Sequence, residues 1–248
     1  MCEVKGLSYL DQVVSKRSET PQGCLVDTSL LFALSYPLDV FNEDAEAAFR
    51  ILSENSIPVF TNVNIRTEFI ELHRRVAIPE GLIDLLDDQE GGLDGHLVQK
   101  LKSLRTRYRK ANGEGKTFKL SDREIKSHRD MLTEFEGNGI DGWEVFCKDY
   151  LTGAIQKEWD TTEREWNLNF LSLRSTEKHP LISDEVTWEG MVELVEKFGI
   201  GAMDAMILNL FRCSRLEVLL TADSDLAYAA EKLKLNGKVV IVPDALCS

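Results

Sequence analysis

Cysteine and histidine occur only as scattered single residues. Cys2, Cys24, Cys147, Cys213 and Cys247 are odd in number and form no Cys-x-x-Cys pair, and His73, His96, His128 and His179 are equally dispersed. That pattern argues against a disulfide framework and against a zinc site, and leaves free thiols in a reducing cytoplasm as the expected state. No apolar run approaches the roughly 18 residues that a membrane span needs. The opening segment MCEVKGLSYLDQVVSKRS has neither an apolar h-region nor a small-residue cleavage site, so no signal peptide is expected. No internal repeat and no low-complexity tract is present. The expectation is a cytoplasmic protein with no membrane partner.

What is present is ordinary globular material with an uneven charge. The 248 residues are 43% hydrophobic and 29% charged, enough for one large domain or two small ones with a real core. The formal net charge of −13 argues against broad, non-specific nucleic-acid binding. Between Val98 and Asp130, however, eleven basic residues face four acidic ones, a local +7 that leaves −20 for the rest.

Residues 1–23 read as a helical lead, with one amphipathic helix around Leu10–Lys16 and a turn at Thr20-Pro21-Gln22-Gly23. Cys24-Leu25-Val26 reads as a buried strand, stopped by Asp27-Thr28-Ser29, which caps an apolar segment from Leu30 to Leu34. Ala45, Ala48, Phe49 and Leu52 recur at helical spacing within Asp44–Asn55, and Ile57–Phe60 reads as a second strand. Asn64 can cap a helix from Ile65 to about Val76. From Ala77 to about Thr187 strand patterns disappear. Pro79–Leu86, Leu93–Arg109, Ser121–Phe135 and Trp143–Leu173 read as helices separated by Gly-containing breaks. Then come a helix at Trp188–Phe198, a break at Gly199-Ile200-Gly201, an apolar helix at Ala202–Arg212, a strand at Leu216–Leu220, a helix at Asp225–Leu235 and a last strand at Val239–Val242. The expected fold is α/β, a parallel sheet flanked by helices, built from residues 24–76 and 188–248 and interrupted by an all-helical insertion at 77–187.

Four carboxylates stand out. Asp27 and Asp223 each follow an apolar strand, and open α/β sheets bind ligands outside the carboxyl ends of their strands. The plainer reading of either is a helix N-cap. Glu68 falls at the edge of the stripe formed by Ile65, Phe69, Leu72 and Val76, while Glu71 points away as a solvent acid. Its plainer reading is a partner for Arg66 or Arg75. Asp204 lies in line with Ile200, Ile207, Leu208 and Phe211, on the apolar face. A buried carboxylate there needs a metal ion, an arginine or helix N–H groups, and the plainer reading is a first-turn acid on the helix dipole. Gathered carboxylates tolerate one another when they share protons or bind a cation. Oxygen ligands without His or Cys favour Mg²⁺ or Mn²⁺.

Leu25-Val26-Asp27-Thr28-Ser29, Arg66-Thr67-Glu68-Phe69, Met203-Asp204-Ala205-Met206-Ile207 and Thr221-Ala222-Asp223-Ser224-Asp225-Leu226 together resemble the four successive acidic motifs of PIN domains. The resemblance covers roughly residues 24–76 and 188–245. It implies a Mg²⁺- or Mn²⁺-dependent endoribonuclease with Asp27, Glu68, Asp204 and Asp223 as catalytic and metal-binding acids. Thr28, Ser29, Thr221 and Asp225 stand as supporting residues. It implies RNA as substrate. Many compact members are toxins, so an antitoxin protein and a second copy of the chain are further candidate partners. The departure is the long interval between Glu68 and Asp204. The rival expectation is a PIN-like binding module with weak or no catalysis, whose insertion recruits a partner. An α/β phosphohydrolase with an aspartyl nucleophile is disfavoured, because Asp27 is followed by Thr28-Ser29 rather than by the usual Asp-x-Asp spacing.

Two other signals carry less. Gly113-Glu114-Gly115-Lys116-Thr117 looks like half a phosphate loop, but Lys110 stands where the first Gly belongs and no buried strand precedes it, so it reads as a flexible loop. Arg105, Arg107, Arg109 and Lys110 lie in the basic run and are candidates for RNA backbone contacts, with the insertion as a lid or recognition element. The plainer reading is a solvated helix face paired with nearby acids. Tyr108, Phe118 and the tryptophans could stack bases, although core positions are favoured for the tryptophans.

Overall fold

A computed structural model describes residues 2–15, 22–133, 136–137, 140–171, 180–233 and 235–247. The turn expected at Thr20-Pro21 lies outside them, as do the helix ends expected at Lys16, Phe135 and Leu173.

The chain divides into two compact units. The first takes residues 1–37, 41–69 and 161–248. Its centre is a six-stranded, wholly parallel sheet of β1 (Glu3–Gly6), β2 (Cys24–Val26), β3 (Val59–Thr61), β6 (Asn169–Phe170), β7 (Val218–Leu220) and β8 (Val239–Val242), in the order β1-β8-β7-β2-β3-β6. Every residue of β2, β3, β7 and β8 is buried. A parallel sheet covered on both faces demands such continuously buried, mainly apolar runs instead of alternation, with Thr61 the one polar residue among them. Around it lie α1 (Leu10–Ser15), α2 (Thr28–Ser35), α3 (Asn42–Glu54), the start of α4 (Val63–Gln89), α9 (Trp188–Phe198), α10 (Ala202–Cys213) and α11 (Ser224–Lys232). The break expected at Gly199 is a left-handed cap, φ 69°, whose N–H bonds Val195 O and ends α9.

Strand order carries the functional consequence. From β2 the chain builds outward to β3 and β6, then returns to the other side of β2 to place β7 and β8. The order therefore reverses between β2 and β7, and the crevice at their carboxyl ends is a topological switch point.

The second unit takes residues 38–40 and 70–160. It holds the rest of α4, α5 (Gly95–Gly113), α6 (Asp122–Thr133), β4 (Glu136–Gly137), β5 (Ile140–Asp141), α7 (Gly142–Phe146) with a π turn at Cys147–Leu151, and the start of α8 (Ala154–Glu165). Leu82, Leu86, Leu101, Leu104, Leu120 and Phe146 belong to its own apolar core.

Several elements differ from expectation. The lead is not only helical: β1 pairs with β8 in register Glu3↔Val239 to Gly6↔Val242. Its mixed Glu-Val-Lys-Gly composition suits an edge strand and hides it from pattern reading. Likewise β6, expected inside a helix, pairs with β3. The helical segment also carries an antiparallel pair, β4 with β5, so it is not all-helical. Most instructive is α4, which runs through Pro79 where a break was expected. Proline deprives the carbonyl four residues earlier of its donor. That carbonyl belongs to Arg75, and the N–H of Leu120 takes it at 3.1 Å.

Candidate functional site

The β2 backbone delivers Asp27 to the switch point, where it is 2% exposed. Asp27 also caps α2, accepting from Ser29 N–H at 3.4 Å. The same oxygen accepts from the hydroxyls of Ser29 at 2.5 Å and Thr221 at 2.8 Å. Both hydroxyls are themselves fixed. Ser29 Oγ accepts from Ala222 N–H at 2.9 Å, and Thr221 Oγ1 accepts from Asp223 N–H at 2.9 Å. Asp223 in turn caps α11, accepting from Asp225 N–H at 2.7 Å and Leu226 N–H at 2.9 Å. Thus the capping reading of both aspartates holds, and the same geometry sets them on adjacent strand ends. Asp225 is exposed and contributes its backbone N–H.

Glu68, half-buried on α4, accepts from the buried Thr28 hydroxyl at 2.8 Å. Arg75 is engaged by Glu71 instead, at 3.0 Å, and Glu71 also holds Arg74. Glu71, expected as a solvent acid, therefore engages both Arg74 and Arg75. Asp204 sits in the first turn of α10, with its carboxylate folded back toward the backbone of Gly201. A Cβ on Gly201 would come within 2.8 Å of Asp204 Oδ2, so glycine is what lets the side chain fold back there.

Electrostatics show that the four acids share one neighbourhood. Burial pushes the Asp204 carboxyl up to about 7, with Asp223, Asp27 and Glu68 each adding to the rise. Glu68 is raised by burial, then by Asp27 and Asp223, against the Thr28 hydroxyl. Asp27 is raised by burial and by Asp223, against its hydroxyl and backbone donors. Among the described residues, no cation is one of the groups that set these three carboxylates. Nor do any three His, Cys, Asp or Glu side chains stand together as a finished ligand set for one ion, again among the described residues. The donor chemistry nonetheless fits a hard divalent cation, with oxygen donors at the strand ends and no cation among the described residues setting their charge.

One residue at this edge escaped sequence reading. The cap of α4 is Asn62, not Asn64: Asn62 Oδ1 accepts from Ile65 N–H at 3.0 Å. Asn62 is fully buried, and its amide nitrogen has no hydrogen-bond partner among the described residues. Continuing the β2–β3 register by two positions places it beside Asp27. Its position directly after the strand Val59-Phe60-Thr61 was the available signal.

The basic candidates lie elsewhere, on α5 in the second unit. Arg105 pairs with Asp87 at 2.6 Å, Arg107 with Glu124 at 2.7 Å, and Lys110 lies 4.0 Å from Glu114. Arg107 also stacks over Phe118, 5.2 Å from its ring centre. Arg109 is exposed. Of the expected stacking aromatics, Trp159 and Phe118 are core, and Tyr108 packs edge-on against Phe118 at 5.8 Å.

Thr221→Val tests the hydroxyl network without changing shape. It removes a donor to Asp27 and strands the Asp223 N–H, so unfolding in urea should show a loss of about 1–2 kcal/mol. Thr221→Ser should recover most of it. Equal stability of the Val and Ser variants would show that the hydroxyl is idle.

Comparison with known proteins identifies no relative: no family model, curated protein or solved structure matches the chain. Among the described residues no helix is long and apolar enough to cross a membrane. The fold and the site together define an α/β protein with a carboxylate-rich switch point.

Proposed function

We propose that the α/β unit is a PIN-like, Mg²⁺- or Mn²⁺-dependent endoribonuclease acting through Asp27, Glu68, Asp204 and Asp223. The observation that carries the reading is the gathering of these acids at a switch point, where Asp27 and Asp223 are tied together through Ser29 and Thr221, where burial and the neighbouring acids raise Asp204, Glu68 and Asp27, and where no cation is among the causes within the described residues. A divalent ion would supply a water activated near neutral pH and would neutralise the phosphodiester charge. Asp27 and Asp223 would hold it from adjacent strand ends, with Glu68 and Asp204 closing from the helices. Ser29 and Thr221 keep one Asp27 oxygen engaged and so orient the other. Thr28 does the same for Glu68. Asp204, with its affinity for a proton raised to about 7, can hold or release one in the working pH range.

The decisive experiment is cleavage of a labelled RNA by the purified chain with Mn²⁺, with and without EDTA. Metal-independent cleavage, or none with a complete site, would overturn the reading. A second reading is a PIN-like binding module with weak or no catalysis, whose helical segment recruits a partner. Absence of Mn²⁺ binding in calorimetry would select it.

The basic run is a separate proposal, an RNA-backbone contact from Arg105, Arg107, Arg109 and Lys110. Replacing the three arginines with Glu should weaken RNA binding several-fold and flatten its salt dependence. Because Asp87 and Glu124 already engage two of them, part of the change should register as lower stability, up to about 1 kcal/mol per pair. Unchanged RNA binding across a salt series would remove the recognition role.

A further inference from the structure

A groove lies at the opposite edge of the sheet from the four acids. It is formed where the chain enters β3 and β6, at their amino ends. One part, a cavity of about 370 Å³, has Phe49, Ile57 and Trp166 in its lining. The adjoining part, about 440 Å³, runs along α3, and the two share Ser53 and Trp166. Trp166 is half-buried and stands edge-on to Phe49, ring centres 5.2 Å apart. It lines both parts of the groove.

The rim is acidic. Glu43, Glu46 and Glu54 on α3 line the groove, and Glu165 joins them from the end of α8. All four are exposed, and among the described residues none forms an ion pair. Arg50 is the single basic residue in the lining. Four carboxylates that form no ion pair among the described residues, beside an indole that lines the groove, complement one kind of side chain particularly well. A guanidinium stacks on Trp and donates from its edge to carboxylates, which an ammonium does less well. The groove is also long. Glu43 and Glu54 are eleven residues apart on one helix, roughly 16 Å at 1.5 Å per residue. An extended peptide covers that distance in about five residues.

We infer that this groove is a docking surface for an extended, arginine-rich peptide segment of a partner protein, with one arginine stacked on Trp166 and others paired along α3. The site is independent of the proposed nuclease chemistry, because the groove lies at the amino ends of β3 and β6 and the acids gather at the carboxyl ends of β2 and β7. A repeating cationic peptide satisfies spaced acids that a single small cation would leave unmatched.

The test uses the full chain and a fluorescein-labelled eight-residue peptide alternating arginine and glycine, with binding read by anisotropy. Glu46→Gln/Glu54→Gln should weaken binding at least tenfold, Trp166→Ala should weaken it further, and Trp166→Phe should retain most of it. RNA cleavage by the Glu46→Gln/Glu54→Gln variant should equal that of the parent. Asp27→Asn should bind the peptide normally, which separates the groove from the acidic switch point. Equal binding by the parent and the double variant would overturn the inference. So would loss of binding in Asp27→Asn, which would place the peptide in the nuclease site, and so would no measurable binding by the parent.

Discussion

Asp27→Asn is expected to lower Mn²⁺-dependent RNA cleavage by at least about 100-fold while leaving the protein folded. The amide has the size of the carboxylate, and its oxygen can still accept from Ser29 and Thr221. What it loses is the charge a hard cation requires. Removing that charge also relieves Glu68 and Asp204, both of which Asp27 pushes toward protonation. The metal-free variant should therefore melt no lower than the parent. Cleavage rates, circular dichroism and Mn²⁺ calorimetry on the same preparation separate these effects. Undiminished, EDTA-sensitive cleavage by a folded Asp27→Asn protein would end the nuclease assignment at this site.

Asp204→Asn should part stability from activity in the opposite directions. In the folded chain Asp204 keeps its proton up to about 7, against an ordinary 3.8. The folded state binds that proton more tightly than the unfolded chain does. The contribution of this group to stability is therefore greatest at low pH and falls as pH rises from about 3.8 to about 7. Allowing for its partial exposure, the charged form costs the metal-free protein on the order of 1–2 kcal/mol. Melting of the parent should drop between pH 5 and pH 8, and Asp204→Asn should remove most of that drop. At pH 8 the variant should melt higher by about 2–6 °C, yet cleave RNA far more slowly. Asp27 and Glu68, raised by the same surroundings, would keep a residual slope. A lower melting point for Asp204→Asn at pH 8 would mean that the carboxylate serves the fold through its contact with Gly201.

How far the sequence alone reaches can be judged element by element. The apolar triplets Cys24–Val26 and Val218–Leu220 are strands because nothing but a doubly covered sheet suits them, and each was legible. The acids that follow them were legible too, as caps and as strand-end groups. Asp204 was legible from its place on an apolar helix face. The edge strands β1 and β6 were not, since two to four residues of mixed polarity carry no period. Asn62 was passed over for Asn64, two residues later, because capping chemistry alone does not distinguish them.

Local chemistry thus determined, from sequence alone, the α/β class, the strand–acid pairs and the helices that carry Glu68 and Asp204. Tertiary structure decided which strands are neighbours. Only the return of the chain to the far side of β2 makes Asp27 and Asp223 adjacent, although nearly two hundred residues separate them in sequence. Only that adjacency lets the Thr221 hydroxyl reach Asp27. The continuity of α4 was decided in the same way. Pro79 predicts a break as long as the Arg75 carbonyl is left to itself, and the donor that satisfies it, Leu120 N–H, comes from forty-five residues away. A pattern of residues records what each segment can bury or cap, whereas a partner brought from elsewhere in the chain sets which of those capacities is used.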